Sequence, residues 1–380
     1  MLERMARQQL TQRLKQYPAV SLLGSRQCGK TTLAQSLGGR FFDLENEQEI
    51  ERLKLQWEAI TTSKQLVVFD EAQHWPELFN RLRSAIDEDR KRNGRFLLLG
   101  SVSPFLIKQI SQSLAGRISL VELTPLLIPE VGPDTTDALW LNGGYPDGGI
   151  LGEKRYPQWQ TDYLTTLAER DLPAWGLPAK AVTTKRFFRM LAATQGQTWN
   201  ASMIANSLGV NHETISSYLE YLVGSFLIRR LQPYFGNVRK RLAKTPKTYW
   251  RDSGLLHSLL SVTDEDHLFS QPWVGASWEG FVIEQAISVL KAQGRHFEAY
   301  FLRTADQQEL DLVLEFGTEL WAVEIKLASF PSIEDMERLH RAADLIKAKR
   351  RVLVCRTNEI LTVDNATSCG LQDFIQLLSE

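Results

Sequence analysis

Gly24, Ser25, Arg26, Gln27, Cys28, Gly29, Lys30 and Thr31 follow one another with the spacing G-x4-G-K-[ST], the pattern of a backbone cradle for phosphates. Glycines let the chain wrap until successive N–H groups face an anion, and a helix N-terminus adds positive potential there. Lys30 would reach the β- and γ-phosphates, Thr31 would place its hydroxyl on Mg2+, and Thr32 belongs to the same nucleotide-binding stretch. About 40 residues on, the apolar run Leu66–Phe69 ends in Asp70 and Glu71. That puts two carboxylates just past the C-terminal end of a buried strand, where α/β sheets bind ligands. Asp70 would hold Mg2+ through water and Glu71 would orient or deprotonate the attacking water. An acidic helix N-terminus is the plainer alternative for the pair. The chemistry implied is Mg2+-dependent hydrolysis of a nucleoside triphosphate.

Two more positions follow from this architecture. Ser101 ends the apolar run Phe96–Gly100 and would sense the γ-phosphate or the water, unless it or Ser103 is a helix N-cap. Arg117 stands immediately before the last strand, where ring-forming ATPases present an arginine to a neighbour's nucleotide; a structural ion pair is the alternative. Cys28 lies beside Lys30 and is either redox-sensitive or simply packed.

The elements that must hold these groups are legible. Val20–Leu23, Phe41–Leu44, Leu66–Phe69, Phe96–Leu99 and Ile118–Leu123 are short apolar runs alternating with amphipathic stretches, which predicts a parallel α/β sheet with helices on both faces. A Gly- and Pro-rich stretch between Pro129 and Pro157 marks a boundary or hinge. The divisions expected are 1–130 for the ATPase core, 131–182 for a helical lid or linker, 183–265 for a winged helix-turn-helix and 266–380 for an α/β nuclease-like domain. The 44 Lys and Arg against 45 Asp and Glu leave a net charge of −1, so any nucleic-acid partner must be read from local patches. No apolar run approaches the roughly 18 residues that span a bilayer, and the polar start lacks the core of a secretory signal. Leu2, Met5, Leu10 and Leu14 are spaced for a helix. Cys28, Cys355 and Cys369 form no disulfide framework and no metal-ligand spacing. The expectation is a soluble, cytoplasmic, multidomain protein with no membrane partner.

Ala201–Leu219 has a helix-turn-helix layout, with Ala205 for close packing, Gly209 for the turn, and Val210, Ile215 and Leu219 as core anchors. From Tyr221 to Arg251 there is no acid but eight bases: Arg229, Arg230, Arg239, Lys240, Arg241, Lys244, Lys247 and Arg251. Tyr234, Phe235, Tyr249 and Trp250 interleave with them. A basic hairpin after a helix-turn-helix reads as a wing against a phosphate backbone, with Arg239, Lys240, Arg241, Lys244 and Lys247 as DNA contacts. The recognition helix carries Asn211, His212 and Glu213 but no Arg or Lys, which argues against base-specific readout. Docking of the basic hairpin on the chain's own acidic surface is the other reading.

In the carboxyl half, Gly317 and Thr318 make a two-residue hairpin turn that sets Asp311 opposite Glu324 and Glu309 opposite Lys326, all on one face. Two opposed acids repel unless a cation lies between them. This is the geometry of a Mg2+ site with an adjacent lysine, as in enzymes that activate water against phosphodiesters. A cross-strand ion-pair ladder joining Glu309 to Lys326 is the alternative.

Gly24–Leu33, Val68–Gln73, Leu98–Ser101, Ser113–Arg117 and Gly143–Pro146 occur in this order in the prokaryotic AAA-type (AAA_14-like) P-loop ATPases, which the chain resembles over nearly its whole length. Their carboxyl half is a domain of unknown function containing a winged helix and a restriction-endonuclease-like fold. The spacing D-x12-E-x-K from Asp311 through Glu324 to Lys326 resembles the PD-(D/E)XK nuclease motif, with Glu279 on the preceding helix as its usual extra ligand. The resemblance implies an ATPase with ATP and Mg2+ as cofactors, assembled as a homo-oligomer such as a hexameric ring. Among its members the themes are DNA processing, including branch-migration-like motors, and mobile-element or defence roles. Cys28 departs from the small or β-branched residue usual there. Three readings result: an ATP-driven machine on DNA, a nucleotide-gated protein-interaction switch, and an ATP-regulated DNA nuclease.

Overall fold

A computed structural model describes residues 2–101, 112–236 and 244–380. Five strands, β1 (Ala19–Gly24), β2 (Arg40–Asp43), β3 (Val67–Asp70), β4 (Phe96–Ser101) and β5 (Ile118–Glu122), form an all-parallel sheet in the order β2-β3-β4-β1-β5. β1 and β3 are buried at every position, as strands between two helical layers must be. β5 departs from that expectation: it is an edge strand and turns Leu120 outward. The helix Ala6–Gln16 packs beside β1 and β5 and buries Ala6 and Leu10.

The segment after the sheet is helical. The helix Thr136–Asn142 ends at Gly143, whose φ of 83° suits only glycine. The helix Gln158–Thr166 runs on through a π-helical turn, Leu167–Asp171, into Leu172–Ala174. Pro173 lies within this continuous run, directly after the π-helical turn.

The helix Ala201–Leu208 ends at Gly209 (φ 67°), and the helix His212–Gly224 starts from Asn211, whose side chain accepts the Thr214 N–H. Ala205, Ile215 and Leu219 are buried between these helices and their neighbours. An antiparallel hairpin follows, β6 (Ile228–Pro233) with β7 (Lys247–Trp250). This hairpin does not stand alone. β6 pairs in parallel with β8 (Glu298–Arg303), so the sheet crosses the expected division at residue 265. With β9 (Glu309–Phe316), β10 (Glu319–Ile325), β11 (Arg350–Val354), β12 (Leu361–Val363) and β13 (Ala366–Cys369), it makes an eight-stranded mixed sheet ordered β12-β13-β11-β10-β9-β8-β6-β7. The 19-residue helix Val274–Ala292 is buried along most of its length against this sheet and against Leu126, Leu127 and Ile128 from the segment that follows β5.

Helices from both halves meet at His257, which is fully buried. Its Nδ1 lies 2.9 Å from the Leu141 carbonyl and so carries the proton. Its Nε2 accepts the Ser277 hydroxyl at 2.6 Å, and Ser277 in turn accepts the Trp140 indole N–H. Burial lowers the imidazole pKa to about 4. The unfolded chain therefore binds a proton near pH 6.5 that the fold refuses until about pH 4, so this group's stabilisation is present above 6.5 and is lost as pH falls. Relative to His257→Gln, the wild type is expected to lose on the order of 3 kcal/mol between those limits, read by urea denaturation at pH 7 and pH 4. Parallel curves for the two proteins would refute the neutral buried imidazole.

Candidate functional site

The loop from Gly24 to Gly29 is tightly packed. A Cβ at Gly24 would come within 2.2 Å of the Leu123 carbonyl oxygen, so only glycine lets β1 lead into the loop beside β5. Gln27 (φ 62°) and Gly29 (φ 99°) adopt left-handed backbone, the alternation that turns successive N–H groups toward one point. Carbonyls of the loop are held from outside. Arg4 donates to Cys28 O at 2.8 Å and to Thr124 O at 2.6 Å, and is itself fixed by Glu130 at 3.1 Å. Tyr163 Oη donates to Arg26 O at 3.1 Å. Cys28 is fully buried with its thiol on Leu123 O, which answers for packing rather than for redox chemistry.

Lys30 folds back, its ammonium donating to Gly24 O (3.1 Å) and Ser25 O (2.9 Å). Thr31 Oγ1 donates to Asp70 Oδ2 at 2.8 Å, joining the first turn of the helix Lys30–Gln35 to the end of β3. Burial raises the Asp70 pKa, and the Thr31 bond opposes that rise. Glu71 takes a left-handed conformation (φ 50°, ψ 48°) and its carboxylate accepts from Gln73. That backbone swings its side chain off the strand direction, which an ordinary helix N-terminus would not need. Ser101 ends β4 alongside Gly24 at the end of β1; Ser103 lies outside the described residues. Among the described residues, Glu45, Glu71 and His74 are the set of three whose ligand atoms all lie within 4.8 Å of one another.

Arg117 is placed otherwise than a free finger requires. Its guanidinium forms a two-pronged pair with Asp87 of the same chain (2.8 and 2.9 Å), which holds the Asp87 carboxyl down at about 2. Offering it to a neighbour would mean breaking both bonds.

Arg26 reaches out of the loop to Asp171 at 2.8 Å, within the π-helical turn that Arg170 also engages. Asp171 is buried and its Oδ2 has no hydrogen-bond partner. Beside Gly29 and Thr32, a cavity of about 530 Å3 is walled by Leu2, Leu33, Leu126, Pro146 and Leu151.

Of the five DNA contacts expected on the hairpin, Arg239, Lys240 and Arg241 lie outside the described residues and Lys244 is exposed. Lys247 is a correction. It is 4% exposed, with Nζ 2.8 Å from Glu309, 3.0 Å from Glu279 and 3.9 Å from Asp311, and it faces no solvent phosphate. β7 is the edge strand of the carboxyl sheet, and its first side chain points into that sheet's polar cavity. The neighbouring bases are committed too: Arg229 and Arg251 to Glu284, Arg251 also to Glu122, and Arg230 to Glu220.

The β9–β10 register is the expected one, with Phe316 opposite Glu319 through Leu312 opposite Val323. Glu279, Asp311, Glu324 and Lys326 line one cavity of about 660 Å3 with Glu309 and Lys247. The ladder from Glu309 to Lys326 does not form. β10 ends at Ile325, whose N–H bonds the Asp311 carboxylate at 2.9 Å, and Lys326 turns to Glu324 at 2.6 Å. Burial and the facing Glu279 and Glu324 push the Asp311 pKa well up.

Residues 16–132 match the AAA domain family, residues 134–266 a domain of unknown function (DUF8612), and residues 274–374 a second domain of unknown function (DUF4143). Uncharacterized protein Rv2008c of Mycobacterium tuberculosis is 40% identical over 329 residues, covering 85% of this chain and 74% of that protein. The chain belongs to the same family of AAA-domain proteins. Uncharacterized protein Mb2031c of Mycobacterium bovis aligns with the same identity and coverage. Among solved structures, the Walker-type ATPase paby2304 of Pyrococcus abyssi is 18% identical, with a TM-score of 0.48 over 68% of this chain and 96% of that one. A DNA replication initiation factor is 16% identical, with a TM-score of 0.25 over 57% of this chain and 86% of that one.

Membership of this AAA family makes the amino-terminal domain a P-loop NTPase, which implies a nucleotide and, with it, Mg2+. No described helix is long and apolar enough to cross a membrane. Sequence reasoning missed Arg4, Tyr163 and Asp171 around the loop. Each lies at least 24 residues from the group it holds, and no local spacing marks it.

Proposed function

We propose that the chain is a Mg2+-dependent ATPase whose nucleotide state moves a DNA-binding carboxyl half. The contact of Thr31 Oγ1 with Asp70 Oδ2 carries the catalytic part, because it brings together the hydroxyl that would ligate a nucleotide-bound Mg2+ and the carboxylate that would hold that ion through water. The ion supplies charge neutralisation on the phosphates. Lys30 would exchange its two carbonyl partners for phosphate oxygens, and Glu71 would orient the attacking water. The apolar cavity beside Thr32 suits the base. Arg26 and Asp171 link the loop to the lid, so phosphate binding that draws on Arg26 would loosen that link.

In this reading the helix-turn-helix and hairpin form a winged helix, β8–β13 with their helices a PD-(D/E)XK nuclease-like fold, and Glu279, Asp311, Glu324 and Lys326 its site. A homo-oligomer, with a ring as one form, belongs to the same proposal. DNA would meet the exposed Lys244, with Arg239, Lys240 and Arg241, which lie outside the described residues, as the other expected contacts. A second reading, a nucleotide-gated protein-interaction switch, is favoured by one observation: Arg229, Arg230, Lys247 and Arg251 are neutralised within the chain.

Steady-state ATP hydrolysis with Mg2+, alone and with linear, single-stranded and branched DNA, tests the proposal against Lys30→Ala as blank. Stimulation by one DNA form is the expected result. A Lys30-dependent rate indifferent to every DNA would leave the ATPase standing and refute the DNA coupling in favour of a protein partner.

A further inference from the structure

In a 3-10 turn, side chains three residues apart stack on one face. Glu71 and His74 are so placed across the turn Ala72–His74, which is closed by the His74 N–H on the Glu71 carbonyl at 3.0 Å. The left-handed backbone of Glu71 starts that turn directly after β3. β2 runs parallel beside β3 with Asp43 opposite Asp70, so Glu45, just past the end of β2, comes level with Glu71, just past the end of β3. Nε2 of His74 is 3.7 Å from Oε1 of Glu45. Two carboxylates and one imidazole therefore converge from two strand ends, with one ligand atom of each within 4.8 Å of the others. The side chains of Glu45 and His74 are half-exposed, so the cluster is open to ions from solvent.

The cluster lies in a cavity of about 710 Å3 between the ends of β2 and β3 and the π-helical turn Leu167–Asp171. Two buried oxygens on its wall lack a donor. Asp171 is 3% exposed; Arg26 and Arg170 both bind its Oδ1, and its Oδ2 has no hydrogen-bond partner. Gln73 gives its amide nitrogen to Glu71 and keeps its Oε1 buried without a partner. Acceptors left in that state cost free energy. The wall also carries three carboxylates, Glu45, Glu71 and Asp171, against two guanidiniums, Arg26 and Arg170. Arg26 is the group set against a cation here. It stands 3.8 Å from Glu45 but 2.8 Å from Asp171, so its hold on Glu45 is the weaker one. A hydrated cation would supply the missing positive charge, and its waters would bring donors into the cavity.

We infer that this cluster is an inhibitory site for a divalent transition-metal ion, with Glu45 and Glu71 as carboxylate ligands and His74 as the nitrogen ligand. An imidazole with two carboxylates suits an ion of the Zn2+ or Co2+ kind, whereas Mg2+ keeps to oxygen ligands. Three protein ligands leave the ion a position for water. The site shares no ligand with the Mg2+ position at Thr31 and Asp70, but it takes Glu71. An ion on that carboxylate withdraws it from the attacking water while Lys30, Thr31 and Asp70 still hold the nucleotide. Metal uptake thus stops hydrolysis without displacing ATP. The site stands on the geometry alone; the inhibition rests on the proposed role of Glu71 toward the water.

Co2+ titration of the full-length, nucleotide-free chain in excess Mg2+ tests the site, read by the visible absorption bands of bound Co2+. Wild type is expected to bind one Co2+ per chain and to release it to Zn2+. His74→Ala and Glu45→Gln, both at half-exposed positions, are expected to lose the bands. Asp70→Asn and Asp311→Asn are expected to keep them, which separates this cluster from the Mg2+ position and from the carboxyl pocket. A wild type without Zn2+-displaceable Co2+ would overturn the inference, and so would bands retained by His74→Ala or by Glu45→Gln. Hydrolysis at saturating Mg2+ and ATP is the second arm. Zn2+ is expected to lower the wild-type kcat by about 10²-fold, the low end of what a positioned proton acceptor contributes, with KM unchanged. His74→Ala is expected to keep the basal rate and to resist Zn2+. Wild-type hydrolysis that Zn2+ leaves untouched would overturn the inhibition. Bands that depend on His74 in a chain with no Lys30-dependent hydrolysis would refute the ATPase reading and leave the site standing.

Discussion

Asp70→Asn is expected to leave ATP bound and to lower kcat by about 10²- to 10³-fold, the usual cost of removing one preorganised electrostatic group from a reacting centre. Asp70 is held in place before any nucleotide arrives. It is buried at the end of β3, one oxygen accepts the Glu71 N–H at 3.0 Å, and the other accepts the Thr31 hydroxyl. Asparagine keeps the size and one acceptor but loses the charge that a divalent ion requires. Its amide would present a donor to Thr31 or to Glu71 N in one of its two orientations, so the paired geometry is lost with the charge. Thr31→Ala should act in the same direction, and Thr31→Ser, which keeps the hydroxyl, should restore most of the rate. Hydrolysis measured against Mg2+ concentration separates the outcomes. A variant rescued by excess Mg2+ has lost metal affinity, and one that stays slow at saturation has lost positioning. A normal rate in Asp70→Asn would remove Asp70 from the metal site.

Arg251→Met is expected to destabilise the chain by about 3–5 kcal/mol, the range for breaking a buried ion pair from one side. Arg251 is 7% exposed in its side chain and joins Glu122, the last residue of β5, to Glu284 in the long carboxyl helix. Glu284 is buried, and the Glu122 side chain is 14% exposed. Burial alone would raise their pKa values, but Arg251 with Lys291 and Arg229 outweighs it at Glu122, and Arg229 with Arg251 does so at Glu284. Both are therefore held below the ordinary value of 4.5, and their stabilisation is present above that pH and lost as pH falls through the folded values. Methionine fills much of the volume and leaves both acids short of a counter-charge. Urea denaturation at pH 7 should show the loss. The double variant Arg251→Met/Glu122→Gln should recover part of it, and the penalty should shrink in acid as the carboxylates protonate. An undiminished stability would mean that the cluster is solvated and does not join the two halves.

The amino-terminal site was legible because each part is local. A strand, a glycine-rich loop and a helix lie within 20 consecutive residues from Val20, and the run Leu66–Glu71 announces its own carboxylates. The hairpin register from Phe316 opposite Glu319 to Leu312 opposite Val323 was legible for the same reason, since a two-residue turn at Gly317 and Thr318 sets the pairing. The helix-turn-helix could be read from Gly209 and the apolar spacing around it. The basic run from Arg229 to Arg251 misled in part. A window without acids says nothing of the acids that folding brings up, and Glu122, Glu220, Glu279, Glu284 and Glu309 all lie outside it. Arg117 shows the same blind spot, because its partner Asp87 is 30 residues away on the helix Glu77–Glu88.

Sequence by itself determined the phosphate cradle, the strands that carry it and the register of the β9–β10 hairpin. These depend on spacing along the chain and on backbone rules that act over a few residues. Tertiary structure decided which charges are spent inside the protein. It placed Lys247 in the carboxylate pocket, Arg251 between the two halves, and Arg26 on Asp171. A charge is neutralised by whichever opposite charge lies within a few ångströms in a poorly solvated place, and that neighbour is chosen by the packing of sheets and helices, not by distance in the sequence.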